Sequence, residues 1–283
     1  PAISPTTTSR STPSIAPDQM NGCKALFLSH GGGPLPLLGD PGHKEMVSCL
    51  ESIATIIPKP KAIVVVSAHW EGTLPTITSG ASPSLIYDYF GFPDEAYDIR
   101  YPCTGEPSIA RNIHKLLSDA GIQAGLDDSR GFDHGLFIPL KIMYPRADIP
   151  CVQLSLVRSL EPAKHIEIGR AISPLIADKV LVIGSGFSFH NMREFFRPNT
   201  PESQAMNHAF ETWLLNTCSH PDCSEDERTQ RLIHWADAPG ARFCHPRAEH
   251  LLPLHVCYGV AQAPCAEYFE LEIMGKKSSM YLW

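Results

Sequence analysis

Histidines at the ends of apolar runs carry the most chemical information in this sequence. Leu26-Phe27-Leu28-Ser29 runs into His30 and then Gly31-Gly32-Gly33-Pro34, and Val64-Val65-Val66-Ser67-Ala68 runs into His69-Trp70. Leu181-Val182-Ile183-Gly184-Ser185-Gly186 leads through Phe187-Ser188-Phe189 to His190-Asn191. Histidine is the commonest metal ligand and the usual acid or base near neutral pH. In open α/β sheets, loops at the carboxyl ends of strands converge on ligands, so His30, His69 and His190 can meet while lying far apart in the chain. Three such side chains would supply facial ligands to a metal. Two further histidines have unusual neighbours: His134 in Gly131-Phe132-Asp133-His134-Gly135, and His250 beside Glu249 at the entrance to an apolar helix. The sequence lacks an HExxH helix, a GxSxG elbow, and the GK[ST] or GxGxxG spacing of a phosphate loop. A zinc protease, a serine hydrolase and a nucleotide-binding loop are therefore poorly supported.

Positioning these side chains needs strands that stop where the histidines begin. The segments 24–30, 61–70, 148–156 and 179–186 are rich in β-branched residues and bounded by Gly, Pro or charge, as in strands buried on both faces. Between them, 43–57, 108–120, 162–177 and 201–218 space their apolar residues as helices do, with Pro107 and Pro162 at two of the starts. Strands alternating with helices predict a single-domain layered α/β fold with a central mixed or largely parallel sheet flanked by helices. The polar, charged stretch 219–237 reads as an excursion or surface loop. Residues 1–20 hold twelve Ser, Thr or Pro and predict a disordered tail, leaving 21–283 as the catalytic domain.

The 283 residues carry 23 basic and 30 acidic side chains, a net charge of −7, with 43% hydrophobic content. That balance gives no global attraction to phosphate backbones or anionic lipid, so neither nucleic acid nor a membrane surface is an expected partner. No apolar run approaches the roughly 18–20 residues of a spanning helix. Nine cysteines, with no CxxC pair, fit free thiols in a reducing compartment, and the expected location is cytoplasmic. The oligomeric state is left open.

Taken together, the segments Ser29–Pro34, Ser67–Trp70, Gly131–Leu156, Gly184–Asn191 and His245–Val256 resemble, in the same order, the class III extradiol ring-cleavage dioxygenases of the LigB-like family. Within it they are most similar to the 4,5-DOPA dioxygenase branch. The resemblance implies one mononuclear divalent metal held by His30, His69 and His250. His190 matches a histidine that is either an additional metal ligand or an acid/base at the metal's edge. His134 matches a catalytic histidine contacting substrate or oxygen, and His245 stays outside the ligand set. The implied partners are a small aromatic diol and O2, and the implied product is a ring-opened semialdehyde. Imidazole suits Fe(II) and Zn(II) alike, but zinc has no accessible redox change, so ring cleavage calls for Fe(II) while purified protein can carry Zn(II). His134 and His190 are the candidate acid/base groups for the diol hydroxyls. Trp70, Phe137, Phe187 and Phe189 are candidates for an aromatic pocket wall or for core packing, and Arg247 for a substrate carboxylate or for the surface. Departures from the family pattern (Gly32-Gly33 after the first motif's glycine, Phe137, Met192, Ala248) remove no ligand. The same residues would also serve a zinc-dependent hydrolase, and the same fold a non-catalytic interaction protein.

Overall fold

Four apolar runs become four adjacent parallel strands in the computed structural model, which describes residues 22–283. In chain order the elements are β1 (Ala25–Ser29), α1 (Lys44–Ile56), β2 (Ala62–Gly72), β3 (Thr76–Thr78), α2 (Pro107–Asp119), β4 (Gly125–Asp127), α3 (His134–Met143) and β5 (Cys151–Val157). There follow α4 (Pro162–Ile172), β6 (Val180–Gly186), α5 (Met192–Phe195), α6 (Pro201–Ser219), α7 (Glu225–Ile233), α8 (Ala241–Cys244), α9 (Leu252–Ala261), β7 (Glu267–Ile273) and β8 (Lys276–Leu282). Among the described residues, eight strands form one mixed sheet in the order β4-β3-β5-β2-β6-β1-β8-β7. The inner four, β5-β2-β6-β1, run parallel, while β3 and β8 pair antiparallel to β5 and β1. Every residue of β1, β5 and β6 is buried, which is why their sequences show continuous apolar runs rather than alternation. The tail expected over 1–20 lies outside the described residues. No helix among the described residues is long and apolar enough to cross a membrane, and all nine cysteines are free.

Register puts the chemistry at one end of the sheet. Ser29 pairs with Gly186, Ser67 with Ser185, and Leu28 with Ser185, so β1, β6 and β2 reach the same level side by side. His30 follows β1 directly, and His69 lies where β2 shifts register against β5 between Ser67 and Glu71. A bulge of this kind bends the strand and re-aims its side chains.

Helix α9, buried along its whole length, lies against β6 and β1 and crosses α4 at two glycines. A Cβ on Gly259 would sit 2.1 Å from the Ile166 carbonyl oxygen, and one on Gly169 would sit 2.1 Å from that of Val256. The contact is backbone on backbone and has no flexible side chain that can give way. Gly259→Ala is therefore expected to cost about 1–3 kcal/mol, read as a lower urea midpoint with an unchanged slope.

Two elements differ from the sequence reading. Helix α4 stops at Ile172 and continues as a 3-10 turn over Ser173–Asp178, because Pro174 has no N–H for the α-helical ladder. The stretch 219–237 is not a plain surface loop but carries α7. Its N-cap Ser224 accepts the Glu227 N–H, and three acids occupy its first turn, where the helix dipole favours them. The helix is anchored by Arg228, which is fully buried. Its guanidinium donates to the carbonyls of Thr217, His220 and Cys223 and pairs with Glu225.

Candidate metal and active site

Five histidines from five places in the chain meet beyond the ends of β1, β2 and β6. The Nε2 atoms of His30 and His69 are 3.1 Å apart. The His134 ring lies 4.0 Å from that of His69, and the His250 ring lies 5.2 and 5.0 Å from those of His30 and His69, all between centroids. His190 stacks on His250 at 3.4 Å with the planes 11° apart. Donor atoms of His30, His69 and His134 lie within 4.8 Å of one another, and so do those of His190, Glu249 and His250. All the histidines singled out from the sequence as site residues are thus brought together. His245 stays apart, fully buried, with Nε2 on the Ser188 carbonyl at 2.6 Å.

Hydrogen bonds decide which ring nitrogens carry protons. His30 Nδ1 faces Ser185 Oγ at 3.0 Å, His134 Nδ1 donates to Asp88 Oδ1 at 2.7 Å, and His250 Nδ1 faces Glu249 Oε1 at 3.2 Å. The carboxylates facing Nδ1 of His134 and His250 place the ring protons there, which leaves Nε2 of each a lone pair. The Nε2 atoms of His30 and His69 face each other 3.1 Å apart. Two nitrogens bound about 2.0–2.1 Å from one cation would be about 3 Å apart, so the pair fits a shared metal ion. Burial, followed by the neighbouring imidazoles, holds His30 and His69 well below the usual histidine range; His250 is shifted the same way by the same causes. Burial lowers His190 to about 4. Neutral imidazoles at pH 7 are the form a divalent ion needs.

Each histidine is held by backbone as well as by its ring. The His30 N–H donates to the Gly186 carbonyl and the His190 N–H to the Cys244 carbonyl, both at 2.9 Å. The Phe187 N–H donates to the His250 carbonyl at 2.9 Å, tying the loop after β6 to the segment before α9. His134 opens α3, whose N-cap Asp133 accepts the Gly135 N–H and the Ser67 hydroxyl. Burial raises the Asp133 carboxyl, with the nearby Asp88 charge adding to the shift. Fully buried Phe187 lies edge-on to His30 at 6.4 Å, and fully buried Phe189 packs on Phe195 and Phe243. Trp70 stacks under the Arg130 guanidinium at 4.2 Å.

Sequence reasoning missed Asp88. It sits in the long loop between β3 and α2, where Tyr87 donates to the Ile99 carbonyl at 2.5 Å and Tyr89 to the Ala96 carbonyl at 2.6 Å. Asp88 takes both the ring N–H and the backbone N–H of His134, and its other oxygen is 4.0 Å from His69 Nδ1. Burial opposes its charge, but the hydrogen bonds and charge of His134, with His69, hold the carboxyl below the usual range. An acid between two tyrosines was the only signal, and it is weak. Asp88→Asn keeps an acceptor but removes the charge that orients two imidazoles. The expected loss is roughly 10–100-fold in metal affinity or turnover, read by metal titration and steady-state rates. Arg247, a candidate for a substrate carboxylate, is already engaged: it forms a bidentate pair with Glu71 at 2.5 and 2.8 Å and reaches Glu249 at 3.5 Å.

Residues 24–281 match the family model described as the catalytic LigB subunit of aromatic ring-opening dioxygenase. The chain is 37% identical to the dioxygenase tasH of Hapsidospora irregularis, over 95% of this chain and 87% of that protein. It is 36% identical to the 4,5-DOPA dioxygenase extradiol of Beta vulgaris, covering 84% and 87% of the two. It is also 36% identical to the protein of that name from Escherichia coli K12, covering 81% and 82%. The crystal structure of the uncharacterized protein JW3007 from Escherichia coli K12 superposes with a TM-score of 0.69 at 30% identity, covering 92% of this chain and 99% of that one.

Proposed function

The chain belongs to the LigB family of aromatic ring-opening dioxygenases, and from that premise we propose that it cleaves the ring of a catechol-type diol in extradiol fashion, using O2 and one divalent metal ion. The observation that carries the proposal is the convergence of His30, His69 and His250, with the Nε2 atoms of the first two facing each other at 3.1 Å. His30, His69 and His250 would hold the ion. Bound Fe(II) supplies redox access to O2 and a positive charge that acidifies the diol, which zinc would supply only in its second part.

The protein's own part is proton management and placement. His134 takes a diol proton at Nε2, because its Nδ1–H is committed to Asp88 and the carboxylate stabilises the imidazolium that results. His190, stacked on His250 with Nδ1 3.5 Å from Glu249, is placed to take the second diol proton and to hand it back to the opening ring. Arg247, itself paired with Glu71, reaches Glu249 at 3.5 Å from the solvent side, beside the His190–His250 stack.

Running the reaction under labelled dioxygen tests this assignment. Both oxygen atoms of O2 are expected in the ring-opened product. Label arriving from water with no O2 consumed would replace the dioxygenase by a hydrolase.

A further inference from the structure

The turn that leaves His30 is held by a histidine outside the cluster. His43 ends the 3-10 turn Pro41–His43 and caps the start of α1, and its side chain is fully buried. Its Nε2 accepts the Gly32 N–H at 2.9 Å, and its Nδ1 donates to Asp40 Oδ2 at 2.7 Å. The tautomer follows from those partners: a backbone N–H can only donate, so Nε2 carries the lone pair and Nδ1 the proton. Burial holds the imidazole below the ordinary histidine range against the pull of Asp40, which keeps the ring neutral as this arrangement needs. His43 belongs to neither group of clustered donor atoms, so ring cleavage leaves it without a task.

What the ring touches is the backbone that follows His30. Gly31 packs directly against it, and a Cβ there would be 2.5 Å from His43 Cδ2 and 2.7 Å from Nε2. Gly31 and Gly33 both take positive φ, 74° and 52°, and the N–H of Gly32 between them is the group that His43 captures. Three glycines leave a turn free to take many shapes, so a fixed partner is what selects one. On its other side the turn meets the loop that carries Asp88. A Cβ on Gly33 would lie 3.5 Å from the Phe92 ring and 3.9 Å from Tyr89 Cβ, and the Tyr89 ring is 5.6 Å from that of His134. His30 is thus fastened before and after, by its own N–H on the Gly186 carbonyl and by the next two residues on His43.

We infer that His43 is a positioning residue: by capturing the Gly32 N–H, with Asp40 fixing its tautomer, it sets the backbone that aims the His30 imidazole at His69. The rotamers open to a side chain depend on its own φ and ψ, and the ψ of His30 is fixed by where the Gly31 peptide goes. His43 is neither a ligand nor a catalytic residue, since both its nitrogens are taken. Its effect on metal affinity rests on the reading of His30 as a ligand, but its effect on the His30 ring does not.

The test compares His43→Leu, His43→Gln and Asp40→Ala in the full chain. Leucine fills much of the space without an acceptor, whereas the glutamine side-chain oxygen reaches the position of Nε2. Imidazole 15N resonances, which follow tautomer and hydrogen bonding, are recorded on metal-free protein at a single pH. Zn(II) affinity is measured alongside by competition with a chelator. In His43→Leu the His30 resonances are expected to shift or broaden, while those of the exposed His208 and His234 stay in place. Zn(II) should bind about tenfold more weakly. Glutamine is expected to restore both, and Asp40→Ala, which frees the ring to change tautomer, to move His30 in the same direction as leucine. Unmoved His30 resonances in a folded His43→Leu protein overturn the inference, whatever its melting temperature. Resonances displaced as far by glutamine as by leucine overturn it too, since the bulk of the ring and not its acceptor would then be what counts. If His43→Leu does not fold, Asp40→Ala decides in the same way. Moved resonances in a protein whose parent binds no Zn(II) would uphold the positioning role and count only against His30 as a ligand.

Discussion

His30→Ala is expected to lose its metal and, with it, at least about a thousandfold of its ring-cleaving turnover. The size follows from the several kcal/mol that a bound ion contributes at a charged transition state, at roughly 1.4 kcal/mol per tenfold. His30 is the right position for the test because it stands at the centre of the cluster. It is 1% exposed, its Nε2 faces that of His69, and its other nitrogen is committed to Ser185. Alanine keeps the backbone N–H bond from position 30 to the Gly186 carbonyl, so the variant should fold. Unchanged circular dichroism with metal content near zero after loading and desalting is the expected result. A variant that retains both its metal and its activity would remove His30 from the ligand set.

His190→Ala separates the two roles open to that residue. If His190 is the proton donor at the edge of the metal, the variant keeps the ion on His30, His69 and His250 and loses about 10²–10⁴-fold in kcat, with KM for the diol little changed. If it is a ligand, metal affinity falls together with kcat. The structure favours the first outcome. The His190 ring is stacked parallel to that of His250 at 3.4 Å, with its Nδ1 turned to Glu249, whereas His30 and His69 point their nitrogens at each other. Metal analysis beside stopped-flow rates reads both quantities from one preparation.

Much of the framework was legible because burial on both faces leaves a plain mark on a strand. The segments ending at His30, Trp70 and Gly186 had no polar alternation to hide them, and their common register explains why their histidines meet. The five clustered histidines were legible for a related reason: each lies close to the carboxyl end of a strand or the start of a helix. What escaped was set by tertiary partners. Asp88 stands in a loop whose shape depends on tyrosine hydroxyls finding distant carbonyls, and no local pattern announces that. The stretch holding α7 reads as an excursion or surface loop because its anchor is an arginine, and a buried guanidinium looks like a surface charge until its carbonyl acceptors are known. Arg247 left two readings open, and the structure places it against Glu71 and Glu249 rather than free at the site.

The most direct test of the central claim is O2 uptake by metal-stripped protein reloaded anaerobically with Fe(II) or with Zn(II) and then mixed with a panel of catechols that includes DOPA. Uptake with Fe(II) alone, one O2 per ring opened and a coloured product, is the predicted result. Fe(II)-loaded protein that binds its metal yet consumes no O2 with any diol, or Zn(II)-loaded protein that turns the same substrates over, would contradict it.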